Sequence, residues 1–275
     1  MNVRRRIRVG AVSYLNTRPL VRGLEQQSSL LELVFDLPSR LADRLSTGQL
    51  DVALIPSIEF FQDPTYTIVS DACIACRGPV WSVKLLSRVP PRRITTLALD
   101  EGSRTSAALT RILLRERFGL TPRLERLPIG AGLEDTQADA VLLIGDRAMH
   151  IPPGPYVAEW DLGAEWTQWT GCSFVFAMWV ARPGVETAEL EPALSAARDT
   201  GLASLEAIAA ESAVEVGLPV AACLSYLRDN LYFYLGADEL QGLRLFRERA
   251  AACGLAPGGP IQGPLRVAVP AASPP

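Results

Sequence analysis

Short apolar runs recur along the chain and are followed by polar or glycine-containing turns. The first, "IRVGAV" over 7–12, is apolar and β-branched and predicts a buried strand. The polar stretch Ser13-Tyr14-Leu15-Asn16-Thr17, with Pro19 behind it, predicts a strand-to-helix turn and a helix from Pro19 to about Glu25. Leu31 to Leu37 alternates as a second strand, and Pro38-Ser39 opens a helix through Leu45 that Gly48 closes. "DVALIP" over 51–56 repeats the buried-strand pattern, with Ser57 as the expected N-cap of a short helix carrying Ile58, Phe60 and Phe61. β-branched and aromatic residues then dominate "YTIVSDACIACRG" and "PVWSVKLLSR", predicting two long β segments.

Pro90-Pro91 is a boundary candidate, and the formula restarts beyond it. "TTLALDEGSRTSAALTRILLRERFG" reads as strand, glycine turn and a helix starting near Thr105. "ADAVLLIGDRAM" reads the same way, with Gly145 and Asp146 at its turn. "TGCSFVFAMWVARPG" is a strand apolar on both faces, and Glu189–Gly217, Val220–Leu235 and Asp238–Cys253 are helical by periodicity. Residues 256–275 are rich in Pro, Ala and Gly without periodicity and are expected to be a disordered tail. Strands alternating with helices argue an α/β fold of two units, with a site at the carboxyl ends of the strands.

A chain of 275 residues that is 48% hydrophobic can bury a large core, and a net charge of −3 points away from a nucleic-acid partner. The basic run Arg4-Arg5-Arg6 reads as a solvated terminus, and no window is apolar enough to span a bilayer. The apolar run behind those arginines breaks at Asn16-Thr17-Arg18-Pro19 with no cleavage site following, so a cytoplasmic protein is expected. Five scattered cysteines form no disulfide framework, and Cys73 and Cys76 read as small hydrophobes on a strand rather than a redox pair. His150, the one histidine, is expected at the surface. With no cluster of ligating side chains, neither a metal nor a cofactor is expected.

Small hydroxyl and amide residues gather at the predicted strand ends: Ser13 and Asn16, Ser57, Ser82, and Ser103 to Ser106. Helix N-termini at Thr105 and near Ser57 would aim positive dipole ends into the same cleft, which suits a small dicarboxylate. Ser13, Ser57, Ser82, Thr105 and Ser106 are therefore candidate ligand contacts, with Arg104 as a carboxylate fork. Ser57 and Thr105 are equally caps, and Asn16 equally a turn residue. Asp146 either caps its helix or faces the ligand, and Trp166 and Trp169 are expected to pack the lobe.

The blocks "GAVSYLNTRPL", "DVALIPSIEFF", "GPVWSV", "LDEGSRTSAAL", "DAVLLIGDRAM" and "TGCSFVFAMWV" are collinear between about Arg8 and Gly254. In them the chain resembles the chorismate dehydratase family of the futalosine route to menaquinone. The resemblance implies a two-lobed, type II periplasmic-binding-protein-like fold with a cleft between lobes. Lobe one would be residues 1–88 plus 177–255, and lobe two 89–176. It implies chorismate as the small-molecule partner, a catalytic or substrate-orienting Asn16, and loss of water to give 3-[(1-carboxyvinyl)oxy]benzoate. The readings left beside it are the dihydroxynaphthoate synthase of the same pathway, expected to use a histidine base, and a small-carboxylate-binding protein without catalysis.

Overall fold

The computed structural model describes residues 5–151 and 153–258. The strands are β1 (Ile7–Val12), β2 (Leu31–Asp36), β3 (Val52–Pro56), β4 (Thr67–Cys76), β5 (Val83–Ser87), β6 (Thr96–Asp100), β7 (Arg123–Leu127), β8 (Ala140–Ile144), β9 (Ala158–Asp161), β10 (Phe174–Ala181) and β11 (Tyr232–Tyr234). The helices are α1 (Arg18–Val21), α2 (Pro38–Ser46), α3 (Ser57–Phe60), α4 (Thr105–Phe118), α5 (Leu162–Thr170), α6 (Leu190–Leu202), α7 (Leu205–Val216), α8 (Val220–Ser225) and α9 (Ala237–Ala252). They form an α/β molecule with two sheets, ordered β11-β4-β10-β3-β1-β2 and β7-β6-β8-β5-β9.

The buried strands are those whose sequences run apolar without alternation. Every residue of β3 and β10 is buried at the centre of the first sheet, and every residue of β8 at the centre of the second. The alternating β2 forms an edge, where Phe35 is half exposed. β1 runs parallel to β2 and β3, and β6 parallel to β7 and β8, so each lobe has a parallel half whose strand ends can build a site. Two crossings join the lobes, residues 77–82 between β4 and β5 and the stretch through α5 between β9 and β10. Among the described residues no helix is long and apolar enough to cross a membrane.

Three expectations need correction. β5 pairs with β8 and β9, and β10 from Phe174 pairs with β3 and β4, so the sheets divide before residue 83 and before residue 174 rather than at 88/89 and 176/177. The expected helix Glu189–Gly217 is two helices, α6 and α7, broken at Ala203-Ser204. Val220–Leu235 is helical only to Asn230, because Tyr232-Phe233-Tyr234 joins the first sheet beside β4, where aromatic residues fit a pleated surface. The expected tail at 256–275 lies almost wholly outside the described residues.

Candidate functional site

Between the lobes lies a cleft of about 530 Å³, counting its mouth. Its walls include the last residues of three strands: Val12 of β1, Pro56 of β3 and Ile144 of β8. The lining is mostly apolar, and polar groups enter from two sides.

One side is the N-terminus of α4. The turn before it, Asp100-Glu101-Gly102-Ser103, folds around the Asp100 carboxylate, which accepts the Gly102 N–H at 2.9 Å and the Arg147 guanidinium. Burial pushes the Asp100 carboxyl up, while Arg147 pulls it back. The first turn of α4 carries no acidic residue, so its free N–H groups and dipole face the cleft uncompensated. Ser103 and Ser106 line the cleft there, and their hydroxyls make no hydrogen bond among the described residues.

The other side is the turn after β1, where Asn16 lines the cleft and its Oδ1 accepts the Thr17 hydroxyl at 3.3 Å. Tyr14 reaches across the cleft to the second lobe, where its ring lies over Gly145 and its hydroxyl lies close to Gly102. Burial, and then the charge of Asp100, push the Tyr14 hydroxyl up to about 12, so it stays protonated. Ser82 comes from the first crossing, and its Oγ accepts the Tyr226 hydroxyl at 2.8 Å.

The crossing itself is unusual. Ser82 N–H donates to the Val80 carbonyl at 2.7 Å, closing a three-residue turn whose central residue, Trp81, has φ 61°. No other non-glycine residue described here has a positive φ, and such a turn is strained. Asp161 restrains it by accepting the N–H groups of Val80 (2.9 Å) and Trp81 (2.6 Å) while capping α5 through Ala164. The Trp81 ring packs edge-on to Tyr226 with centroids 5.8 Å apart.

The candidates read from the sequence separate into groups. Asn16, Ser82, Arg104, Thr105 and Ser106 all line the cleft. Ser13 and Ser57 do not. Ser13 is exposed, and Ser57 is fully buried with its hydroxyl donating to the Val175 carbonyl at 2.7 Å. Neither Ser57 nor Thr105 caps its helix by a side chain. Instead the Thr105 hydroxyl accepts the Ile58 N–H at 3.2 Å and lies 3.4 Å from Ser57 Oγ, joining the lobes. Arg104 sits at the rim with its guanidinium on Glu59 (3.1 Å) and Asp43 (2.7 Å) of the first lobe, so it is a lobe-to-lobe tie rather than a free fork. Asp146 also ties the lobes, accepting the Leu15 N–H at 3.3 Å.

Residues expected to be structural are structural. Trp166 is buried in a ring cluster with Trp169, Phe174 and Phe246. Cys73 and Cys76 are buried free thiols whose pKa values burial pushes up, that of Cys76 to about 12. His150 is exposed, 2.7 Å from the Val216 carbonyl and off the cleft. Among the described residues no group of His, Cys, Asp or Glu could hold a metal ion. Sequence reasoning missed Tyr14, Asp161 and Tyr226. Tyr14 lay inside the singled-out turn, whereas nothing in the local pattern marked the other two.

Fold and cleft together define a two-lobed α/β protein of the periplasmic-binding-protein type, built to enclose a small molecule. Over residues 7–252 the chain matches the family model described as menaquinone biosynthesis, and it belongs to that family. It is 31% identical over 259 residues, 87% of this chain and 93% of the relative, to the chorismate dehydratase of Thermus thermophilus. Among solved structures, protein AF1704 from Archaeoglobus fulgidus matches with a TM-score of 0.74 at 16% identity, covering 91% of this chain and 98% of that one. The alkanesulfonate-binding protein SsuA from Xanthomonas axonopodis pv. citri, bound to MOPS, matches at 0.62 and 15% identity, covering 92% and 94%. At these identities the two structures speak for the fold alone.

Proposed function

We propose that the protein is a hydro-lyase that removes water from chorismate to give 3-[(1-carboxyvinyl)oxy]benzoate. Family membership supports the pathway, and the chorismate dehydratase relative supports the substrate. The observation that carries the reading is the chemistry of the lining. Among the described residues that line it, Tyr14, held protonated, and Arg104, tied to Asp43 and Glu59, are the titratable side chains, and none is a carboxylate, histidine, lysine or thiol. Such a cleft binds an anion well and supplies no base of its own. It therefore suits a substrate that carries the base with it.

Chorismate is that kind of substrate, with one carboxylate on the ring and one on the enolpyruvyl arm. The N–H groups of α4 and the Ser106 hydroxyl hold one carboxylate, and Ser82 holds the other. In the proposed step the enolpyruvyl carboxylate takes the C3 proton, and that electron pair becomes the C3–C4 double bond. The C4–O bond breaks, and the leaving hydroxide recovers the proton from the carboxylic acid and departs as water. The ring is then aromatic, which supplies the driving force. Asn16 donates an N–H to the departing oxygen. The protein contributes orientation and preformed dipoles rather than an acid or base.

The direct test mixes purified protein with chorismate and follows the ultraviolet spectrum and product mass for loss of one water. Binding without loss of water would replace this reading by a carboxylate-binding one. With no lining group that titrates between them, kcat is expected to stay flat from about pH 6.5 to 9, because substrate carboxylates ionise well below and Tyr14 well above that range. A rate limb near neutrality that His150→Ala abolishes would favour a histidine base instead.

The serines on the two sides should behave differently. Ser106→Ala is expected to raise KM by about tenfold, the loss of one donor to a charged oxygen, with Tm unchanged because that hydroxyl has no internal partner. Ser82→Ala should lose both affinity and stability, the latter by about 1–2 kcal/mol, since it strands the buried Tyr226 hydroxyl. Equal effects of the two variants on thermal melting would contradict this division.

A further inference from the structure

Tyr226 begins the π-helical turn Tyr226–Asn230 that follows α8, far in sequence from every other residue at the cleft, and it is fully buried. Its ring supports Trp81 at the strained turn, and its hydroxyl makes one hydrogen bond with a definite direction. The Tyr226 hydroxyl donates to Ser82 Oγ at 2.8 Å. Burial raises the Tyr226 hydroxyl far above its ordinary range, so it remains a donor at every working pH.

A serine hydroxyl has one proton and two lone pairs. With one lone pair of Ser82 filled by Tyr226, the serine proton remains to donate, and a carboxylate in the cleft that Ser82 lines is positioned to accept it. Without that donor the proton could rotate back into the protein and present a lone pair to the ligand, where it would repel a carboxylate. We propose that Tyr226 is a positioning residue of the cleft, acting through Ser82 to make it a fixed donor to a carboxylate of the bound dianion. This rests on the reading of the cleft as a chorismate site and goes beyond it in naming a residue that never touches the ligand.

The test compares Tyr226→Phe, which keeps the ring against Trp81, with Tyr226→Leu, which does not. Activity on chorismate and calorimetric binding of isophthalate, an inert aromatic dicarboxylate, are both measured. Tyr226→Phe is expected to raise KM and the isophthalate Kd by about tenfold while kcat stays within about twofold, the pattern of a lost ground-state donor. In the Ser82→Ala background the same change should add less than about threefold, because its route of action is already gone. It should also recover part of the lost stability, since no buried hydroxyl is then stranded.

A Tyr226→Phe enzyme with normal KM and Kd, beside an impaired Tyr226→Leu, would reduce Tyr226 to a packing residue. So would additive losses in the double variant. If the wild type binds isophthalate without dehydrating chorismate, the enzymatic reading fails and the isophthalate arm still decides the role of Tyr226. If it does neither, both readings fall.

Discussion

Asn16→Asp is expected to lower kcat/KM on chorismate by at least about 10²-fold, roughly 2.7 kcal/mol of transition-state stabilisation. The side chain keeps its shape, but two N–H donors give way to a negative charge beside a dianionic substrate. Folding should persist, because Asn16 is half-buried and its own hydrogen bond is a 3.3 Å contact with the neighbouring Thr17. Turnover measured beside thermal melting decides the matter. Near-normal turnover in a folded variant would leave Asn16 as an ordinary turn residue.

The second large effect is expected at Gly145, where the lobes meet through Tyr14. Its φ is +66°, and a Cβ there would lie 2.9 Å from Cε1 and Cζ of the Tyr14 ring. Gly145→Ala therefore adds a left-handed penalty of about 1–2 kcal/mol and an overlap of about 1–3 kcal/mol. A loss near 3 kcal/mol and a fall in Tm of roughly 8 °C are expected. Since Tyr14 and Asn16 share one turn, kcat/KM should fall by at least about tenfold as well. Gly184→Ala is the control. Gly184 has φ +80° with nothing within 4 Å of an added Cβ, so that variant should show the backbone penalty alone and normal turnover. Equal losses from the two alanines would mean that the Tyr14 contact contributes nothing.

The chain by itself determined the α/β class and nearly every strand of the parallel halves, because buried strands need uninterrupted apolar runs and their polar turns are short. β1, β3, β6 and β8 lie within a residue or two of where the pattern puts them. The carboxyl ends of β1, β3 and β8 and the N-terminus of α4, which line the cleft, were legible as candidate site elements for the same reason, since a strand-to-helix turn leaves donors unpaired whatever surrounds it. What a given hydroxyl bonds to is a different kind of fact. Ser57 and Ser106 are both serines in the first turn of a helix, yet the Ser57 hydroxyl donates to the Val175 carbonyl of β10 while Ser106 lines the cleft with its hydroxyl unbonded among the described residues. That difference depends on a strand 118 residues away. Arg104 looked like a ligand fork because nothing local showed that Asp43 and Glu59 of the first lobe would lie opposite it. Tyr226 and Asp161 carry no local signal at all, because their roles consist of partners at separations of 144 and 81 residues. Periodicity reports which face of an element is buried. Only the packing of one element on another decides whether a polar atom on that face already has a partner.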